Sequence, residues 1–549
     1  MYNNFYIFSN DKTYDIYIIQ QCNIFFNFLK IGTTRMHAKL FSAATIGVEA
    51  KLVQVEVDIS FGLVHFYIVG LPDAAIRESS KRINTAIKNS GFRIPAKKIT
   101  VNLAPADLKK EGTLFDLPIA IGILMALKAV QIPKEFLEET LFIGELSLDG
   151  HIRFIKGALA VAYDAKKLKK RRIILPKSNA KEAALIKGLE VIGVETITEL
   201  VAYIRKEHHI EPTTHSFDAF SKKRINHKLD YDQVKGQHQA KRALQITAAG
   251  RHNILFIGPP GSGKTMLAKR LPTIMPHMTF DEVLQTTKIY SICGKLEQSP
   301  LILQRPFRSP HHTTSQAGLV GGGTYPQPGE ISLSHNGILF LDELTEFRRD
   351  VLEVMRQPLE NKKVCISRVH QTLTFPASFL LVAALNPCPC GFLGDKKRTC
   401  YCTSHQIARY LDKLSGPLLD RVDLQISVQS VEYDTIKAKH LNNESSTTML
   451  AKIQKAIDRQ EKRFGSKNMF NGYMPAELIE KHCVVTPQAE EIIKKAFDAL
   501  NLSMRGYHKI LKVARTIADL DESDIIDVAH IREAIMYRSL DQNLEKQRV

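Results

Sequence analysis

Nowhere in the 549 residues is there an uninterrupted apolar run of the roughly 18 residues that a membrane-spanning helix requires. The best candidate, Leu117–Leu127, is broken by Gly122 and stops at Lys128, so it reads as a buried helix and no membrane partner is expected. Cysteine is scarce, eight in the chain, which excludes a disulfide-stapled scaffold. Four of the eight fall between Cys388 and Cys402, the mark of a local reduced site in a cytoplasmic protein. Internal repeats and long low-complexity tracts are also missing, so a repeat array is excluded. Acidic residues are too few to balance the basic ones: 57 against 75, a net charge of +18. Two readings of that excess stand side by side, a polyanion partner such as nucleic acid and a solvated lysine-rich surface. What remains is ordinary globular material, 44% hydrophobic and 24% charged. At about 150 residues per domain its length allows three or four domains.

Residues 1–35 are rich in Tyr, Phe, Ile and Asn, without the basic start and cleavage site of a signal peptide. A cleaner pattern begins at Met36, and the expectation is that translation starts there and that 1–35 is an upstream extension. Across 36–205 strands and helices alternate: strands at Val53–Val57, Leu63–Val69, Lys98–Leu103 and Arg172–Leu175, helices at Asp73–Ser90 and Leu117–Leu127. This predicts an α+β domain. Residues 206–228 are polar without hydrophobic period and read as a linker. From Leu229 to about 430, apolar strands at Asn253–Ile257, Ile338–Leu341 and Phe379–Ala384 predict an α/β core with a parallel sheet. Residues 431–549 read as a helical domain.

The octet Gly258, Pro259, Pro260, Gly261, Ser262, Gly263, Lys264, Thr265 follows the strand NILFI and precedes a helix, the context a phosphate-binding loop requires. Glycines let backbone N–H groups turn inward around phosphate oxygens. Lys264 can reach the β- and γ-phosphates of ATP, and Thr265 offers its hydroxyl to Mg²⁺. The strand Ile338–Leu341 ends in Asp342 and Glu343. Asp342 is placed to hold Mg²⁺ and Glu343 to polarise the attacking water. A third strand ends at Asn386, suited to orient that water or touch the γ-phosphate; an Asn closing a turn before Pro387 is the plainer alternative.

Three such strand ends resemble an AAA+ ATPase. The segments Asp230–Gln237, Arg305–Ser315, Gly416–Asp423 and Ser503–Arg515 narrow the resemblance to the magnesium-chelatase-like branch. Residues 36–545 as a whole resemble the ComM (YifB) family, in which a Lon-protease-like domain precedes the ATPase. The resemblance implies an ATP-driven homo-oligomeric ring, hexameric in that family. It also implies a branch-migration helicase acting on DNA in recombination during natural transformation. By the same resemblance Arg421 is the arginine finger that reaches a neighbour's ATP, and Arg505 the lid arginine that touches the γ-phosphate of its own subunit. Two insertions are implied to face the ring pore: 305–329, with Arg305, Arg308, His311 and His312, and a predicted hairpin over 362–375. Cationic side chains at a hairpin tip suit a phosphate backbone, and Lys362, Lys363, Arg368 and His370 are the DNA candidates. A solvated hairpin that packs on an adjacent subunit is the alternative.

Four thiolates at Cys388, Cys390, Cys400 and Cys402 can close a tetrahedral Zn²⁺ site, although C-x-C pairs are tighter than the usual spacing. Free thiols or a redox pair are the alternatives. Lon-like proteases use a Ser–Lys pair. In the matching stretch Lys110–Ile119 the only hydroxyl is Thr113, and Leu159 stands where the Lys should be. The resemblance thus implies the fold without proteolysis, a scaffold or DNA-handling domain. Competing readings are a magnesium-chelatase ATPase subunit, for which no D-x-S-x-S partner motif is found, and a nucleotide-gated scaffold for recombination proteins.

Overall fold

The computed structural model describes residues 36–214, 229–296, 301–323, 326–368, 371–395, 397–431, 443–500 and 502–538. The extension 1–35, most of the linker and His370 lie outside the described residues. The chain divides into two compact units near residue 215.

In the first unit, β1 (Met36–Ile46), β2 (Glu49–Ser60), β3 (Phe66–Val69) and β4 (Lys98–Ala104) form one sheet in the order β1-β2-β4-β3. Along β2, Val53, Val55, Val57 and Ile59 are buried and alternate with more exposed residues, as a half-covered strand must. Helix α1 (Ala74–Asn89) is capped by Asp73, whose carboxylate accepts the Ile76 N–H at 2.8 Å. Helix α2 (Asp116–Ala126) is buried almost all round. A Cβ on Gly122 would come 2.6 Å from Val57, so the glycine that interrupts the apolar run is where α2 lies against β2. A second, parallel sheet follows, β5 (Thr140–Phe142), β6 (Arg172–Pro176) and β7 (Glu190–Val194), closed by α3 (Ile197–Ile204). The expected strand Leu63–Val69 is shorter than its apolar run. Leu63 and Val64 are 91% and 67% exposed and lie outside the sheet, because apolar composition alone does not provide a pairing partner.

The second unit holds α4 (His238–Gly250), β8 (Ile254–Ile257), α5 (Lys264–Arg270), β9 (Phe307–Arg308) and β10 (Ile338–Leu341). Next come α6 (Arg356–Asn361), the hairpin β11 (Lys363–Arg368) and β12 (Gln371–Pro376), then β13 (Leu380–Leu385) and β14 (Leu424–Ser427). The helices α7 (Ser446–Phe464), α8 (Met504–Leu520) and α9 (Val528–Met536) complete it. Its main sheet is five-stranded and parallel, in the order β9-β10-β13-β8-β14. Ile254 and Phe256 of β8 face one core, shared with α4, α7, α8 and α9, while Leu255 and Ile257 face a second core on the other side of the sheet. Two covered faces are why the strand reads as a continuous apolar run. Each such side chain contributes about 2 kcal/mol of burial.

Parallel strands bring their carboxyl ends to one edge. Gly258, Asp342 and Asn386 each follow directly on a strand, so residues 84 and 44 positions apart in sequence meet there.

Candidate active site

The loop between β8 and α5 depends on glycine at two kinds of place. Gly261 and Gly263 have φ of +78° and +93°, left-handed values that L side chains rarely adopt. A Cβ on Gly258 would come 2.1 Å from the Val428 carbonyl oxygen, so only glycine lets the chain beyond β14 pass this close. Ser262 is buried within the loop, and its carbonyl accepts from Gln237 at 3.3 Å. Lys264 is buried and its Nζ donates to the carbonyls of Gly258 at 2.6 Å and Pro259 at 3.0 Å and to Asn386 Oδ1 at 3.1 Å. Burial lowers the pKa of this ammonium, with Asp342 and Glu343 opposing. Phosphate oxygens would replace weak carbonyl partners with charged ones.

Thr265 Oγ1 donates to Asp342 Oδ2 at 2.6 Å. A hydroxyl and a carboxylate side by side are hard oxygen ligands that fit Mg²⁺. Glu343 has a left-handed backbone, φ +52°, and its carboxylate lies 3.6 Å from His312 Nδ1. Non-glycine residues held in that conformation carry strain of the kind stored at functional sites. The structure therefore gathers Lys264, Thr265, Asp342, Glu343 and Asn386 at one edge. It adds His312, which sequence reasoning had placed in a pore-facing insertion.

The two arginines lie elsewhere. Asn253, the residue before β8, donates Nδ2 to the Arg421 carbonyl at 2.9 Å and its N–H to Asp423 at 3.0 Å. Arg421 thus stands at the amino end of β8 and the phosphate loop at its carboxyl end, five residues or roughly 16 Å away. The Arg421 guanidinium binds Glu360 at 2.5 Å and the Pro417 carbonyl. Arg505, at the start of α8, points to the same Glu360 oxygen at 3.7 Å. Arg505 thus shares a carboxylate oxygen with Arg421. Lys509, one turn along α8, bonds the Val422 carbonyl at 2.9 Å and Asp423 at 3.3 Å, so α8 is tied to the segment that carries Arg421.

The DNA candidates divide. The hairpin forms, with Val364 opposite Phe375 and Arg368 opposite Gln371. That register puts Lys362 and Lys363 at its base, not its tip. Lys363 is exposed, but Lys362 lies over the Tyr473 ring, 2.9 Å from its centroid, and burial, then Lys512 and Arg251, pushes its pKa down to about 8. Arg368 ends β11 at the tip. Arg305 and Arg308, in the insertion implied to face the pore, are each paired: Arg305 is buried against Glu282 at 3.0 Å, and Arg308 is bidentate on Glu330 at 2.6 and 2.7 Å. Each pairs with a carboxylate more than 20 residues away.

The four cysteines close on one another. Sγ separations are 3.3 Å for Cys388–Cys390, 3.7 Å for Cys388–Cys400 and 3.5 Å for Cys390–Cys400, and all four ligand atoms lie within 4.8 Å. A tetrahedron with Zn–S arms of about 2.3 Å has edges of about 3.8 Å, so the donor set fits zinc. The Phe392 N–H pulls Cys390 down to about 6, whereas burial pushes Cys388 up to about 12. A Cβ on Gly391 would meet Pro260 at 2.7 Å, so the cysteine loop rests on the phosphate loop.

In the first unit, Thr113, the one hydroxyl of the stretch, donates to Glu145, and Leu159 is buried. Among the described residues no helix is long and apolar enough to cross a membrane.

Comparison with known proteins gives three family matches: magnesium chelatase, subunit ChlI, at 230–436; subunit ChlI of Mg-chelatase at 55–179; and the magnesium chelatase ChlI C-terminal part at 443–538. Competence protein ComM of Haemophilus influenzae is 43% identical over 514 residues, 93% of this chain and 99% of its own. YifB of Escherichia coli is 43% identical over 505 residues, 91% of this chain and 97% of its own. Lon protease 2 of Bacillus subtilis is 28% identical over 154 residues, 26% of this chain and 27% of its own.

Proposed function

The chain belongs to the family of ComM and YifB, with magnesium-chelatase-like parts along its length, and on that premise we propose that it is an ATP-hydrolysing ring motor acting on DNA. Its work in this reading is branch migration in recombination during natural transformation, with the hexamer as its assembly. The observation that carries the reading is the position of Arg421 at the opposite end of β8 from the phosphate loop. An arginine side chain cannot span roughly 16 Å, so Arg421 serves a triphosphate held by another copy. Arg505, on the same carboxylate, serves that same neighbouring site.

Within one copy, Lys264 leaves its carbonyl partners for the β- and γ-phosphates. Glu343 takes a proton from the attacking water, and Asn386 orients that water. Thr265 and Asp342 would hold Mg²⁺, which supplies positive charge to the phosphates. Arg421 from the neighbour offsets charge as the bond to the leaving phosphate breaks, a contribution of about 10³–10⁵ in rate. Support for DNA is the net charge of +18, the exposed Lys363 and the competence role in the name of a relative. The hairpin contacts come from Lys363, Arg368 and His370. Lys362 is set aside, since its ammonium is buried on Tyr473. Zn²⁺ at the four cysteines braces the loop beside Pro260. The first unit acts as a scaffold or DNA-handling domain without proteolysis.

The family descriptions favour one other reading, an ATPase subunit of a metal-inserting chelatase. An ATPase assay with no DNA, single-stranded, duplex and four-way DNA, beside gel filtration, separates the two. Turnover stimulated by branched DNA in a nucleotide-dependent oligomer is the expected result. A monomer in nucleotide, indifferent to every DNA, overturns the motor.

A further inference from the structure

Glu360 stands in the last turn of α6 and is the one acid that both Arg421 and Arg505 contact among the described residues, at 2.5 Å and 3.7 Å. The three residues come from different elements: α6, the turn before β14, and the start of α8. Two guanidinium groups on one carboxylate oxygen leave a net positive charge aimed at whatever binds there. Arg421 is largely covered, 14% exposed, whereas Arg505 is 67% and Glu360 48% exposed. The Arg505–Glu360 pair, open to water on both sides, contributes little to folding. Glu360 itself is half-exposed, so an incoming anion can reach the arginines it holds.

Both arginines are donors only, and a carboxylate and a phosphate compete for the same N–H groups. When a neighbour's triphosphate approaches, each guanidinium must leave Glu360 to reach it. We propose that Glu360 is a positioning residue for ATP turnover between protomers. It competes with the neighbour's phosphate for Arg421 and Arg505, and so holds turnover down until the ring is properly closed. This rests on the reading of Arg421 as a group that acts on an adjoining copy. In this reading Glu360 acts through the arginines.

The test is steady-state ATP hydrolysis by the full chain, without DNA, for wild type, Glu360→Gln, Glu360→Asp and Arg421→Ala. Each is accompanied by a melting curve and by the affinity for a fluorescent ATP analogue. Glu360→Gln is expected to raise kcat about twofold to fivefold, the factor that an exposed ion pair is worth. KM and analogue affinity stay at wild-type values, because the chain's own phosphate loop is untouched. Glu360→Asp keeps the charge and is expected to restore wild-type kcat. A merely structural glutamate would lower kcat and melting temperature together. If Glu360→Gln melts early, Glu360→Ser reads the same quantity. An unchanged or lowered kcat in Glu360→Gln, or a rise in Glu360→Asp that matches it, overturns the proposal while Arg421→Ala remains inactive. Wild-type turnover by Arg421→Ala overturns instead the reading on which the proposal rests.

Discussion

Lys264 Nζ and Asn386 Oδ1 lie 3.1 Å apart although 122 residues separate them in sequence, so a side-chain hydrogen bond links the phosphate loop to the end of β13. Lys264→Ala removes the buried ammonium that the phosphates need. The expected loss is about 3 kcal/mol or more of binding, over roughly 100-fold in Kd, measured by titration with a fluorescent ATP analogue. Asn386→Ala should bind nucleotide near normally and lose turnover.

Glu343→Gln keeps the size of the side chain and removes the base. ATP should bind and remain intact, with kcat down about 100-fold or more. With His312 Nδ1 3.6 Å from the Glu343 carboxylate, His312→Ala should lower kcat in the wild type and add nothing in Glu343→Gln. Additive losses in a double-mutant cycle would separate the two residues.

Purified protein should carry one zinc per chain by elemental analysis, and Cys400→Ser should lose it. Because Gly391 rests on Pro260, metal loss should also weaken nucleotide binding. Zinc-free protein from zinc-supplemented growth ends the assignment.

His335 is buried, and desolvation holds its pKa down at about 4 against an ordinary 6.5, with Glu282 opposing. Its Nδ1 accepts the Ser378 N–H at 3.0 Å, which fixes the neutral ring. The unfolded chain therefore takes up the proton first. The stability from this group is complete above pH 6.5 and falls as pH drops toward and through 4, by about 3 kcal/mol in all. Denaturant melts from pH 7 to 4 should show the second unit weakening in that window, and His335→Asn should flatten the slope.

The sheet and the phosphate site were legible because both are written locally. Two-sided burial makes β8, β10 and β13 continuous apolar runs; β8 runs into the glycine that opens the phosphate loop, and β10 and β13 run into Asp342 and Asn386. The hairpin was legible from alternation, but its orientation was not. Lys362 leaves α6 with a left-handed φ of +54°, which puts it at the base of the hairpin. Nothing in a one-dimensional pattern marks that turn. The partners of Arg305, Arg308 and Arg505 were not legible for a different reason. Each is defined by a carboxylate far away in sequence, and an arginine that will be paired looks the same in the chain as one that will be free. His312 beside Glu343 was missed on the same grounds.

The polarity of β8 has a kinetic corollary. In the proposed motor, with nucleotide grasped at one terminus of the strand and the finger carried at the other, a solitary copy owns only half of each hydrolytic centre. Specific activity should then collapse on dilution, and abundance itself becomes a brake on fuel consumption wherever few copies are present.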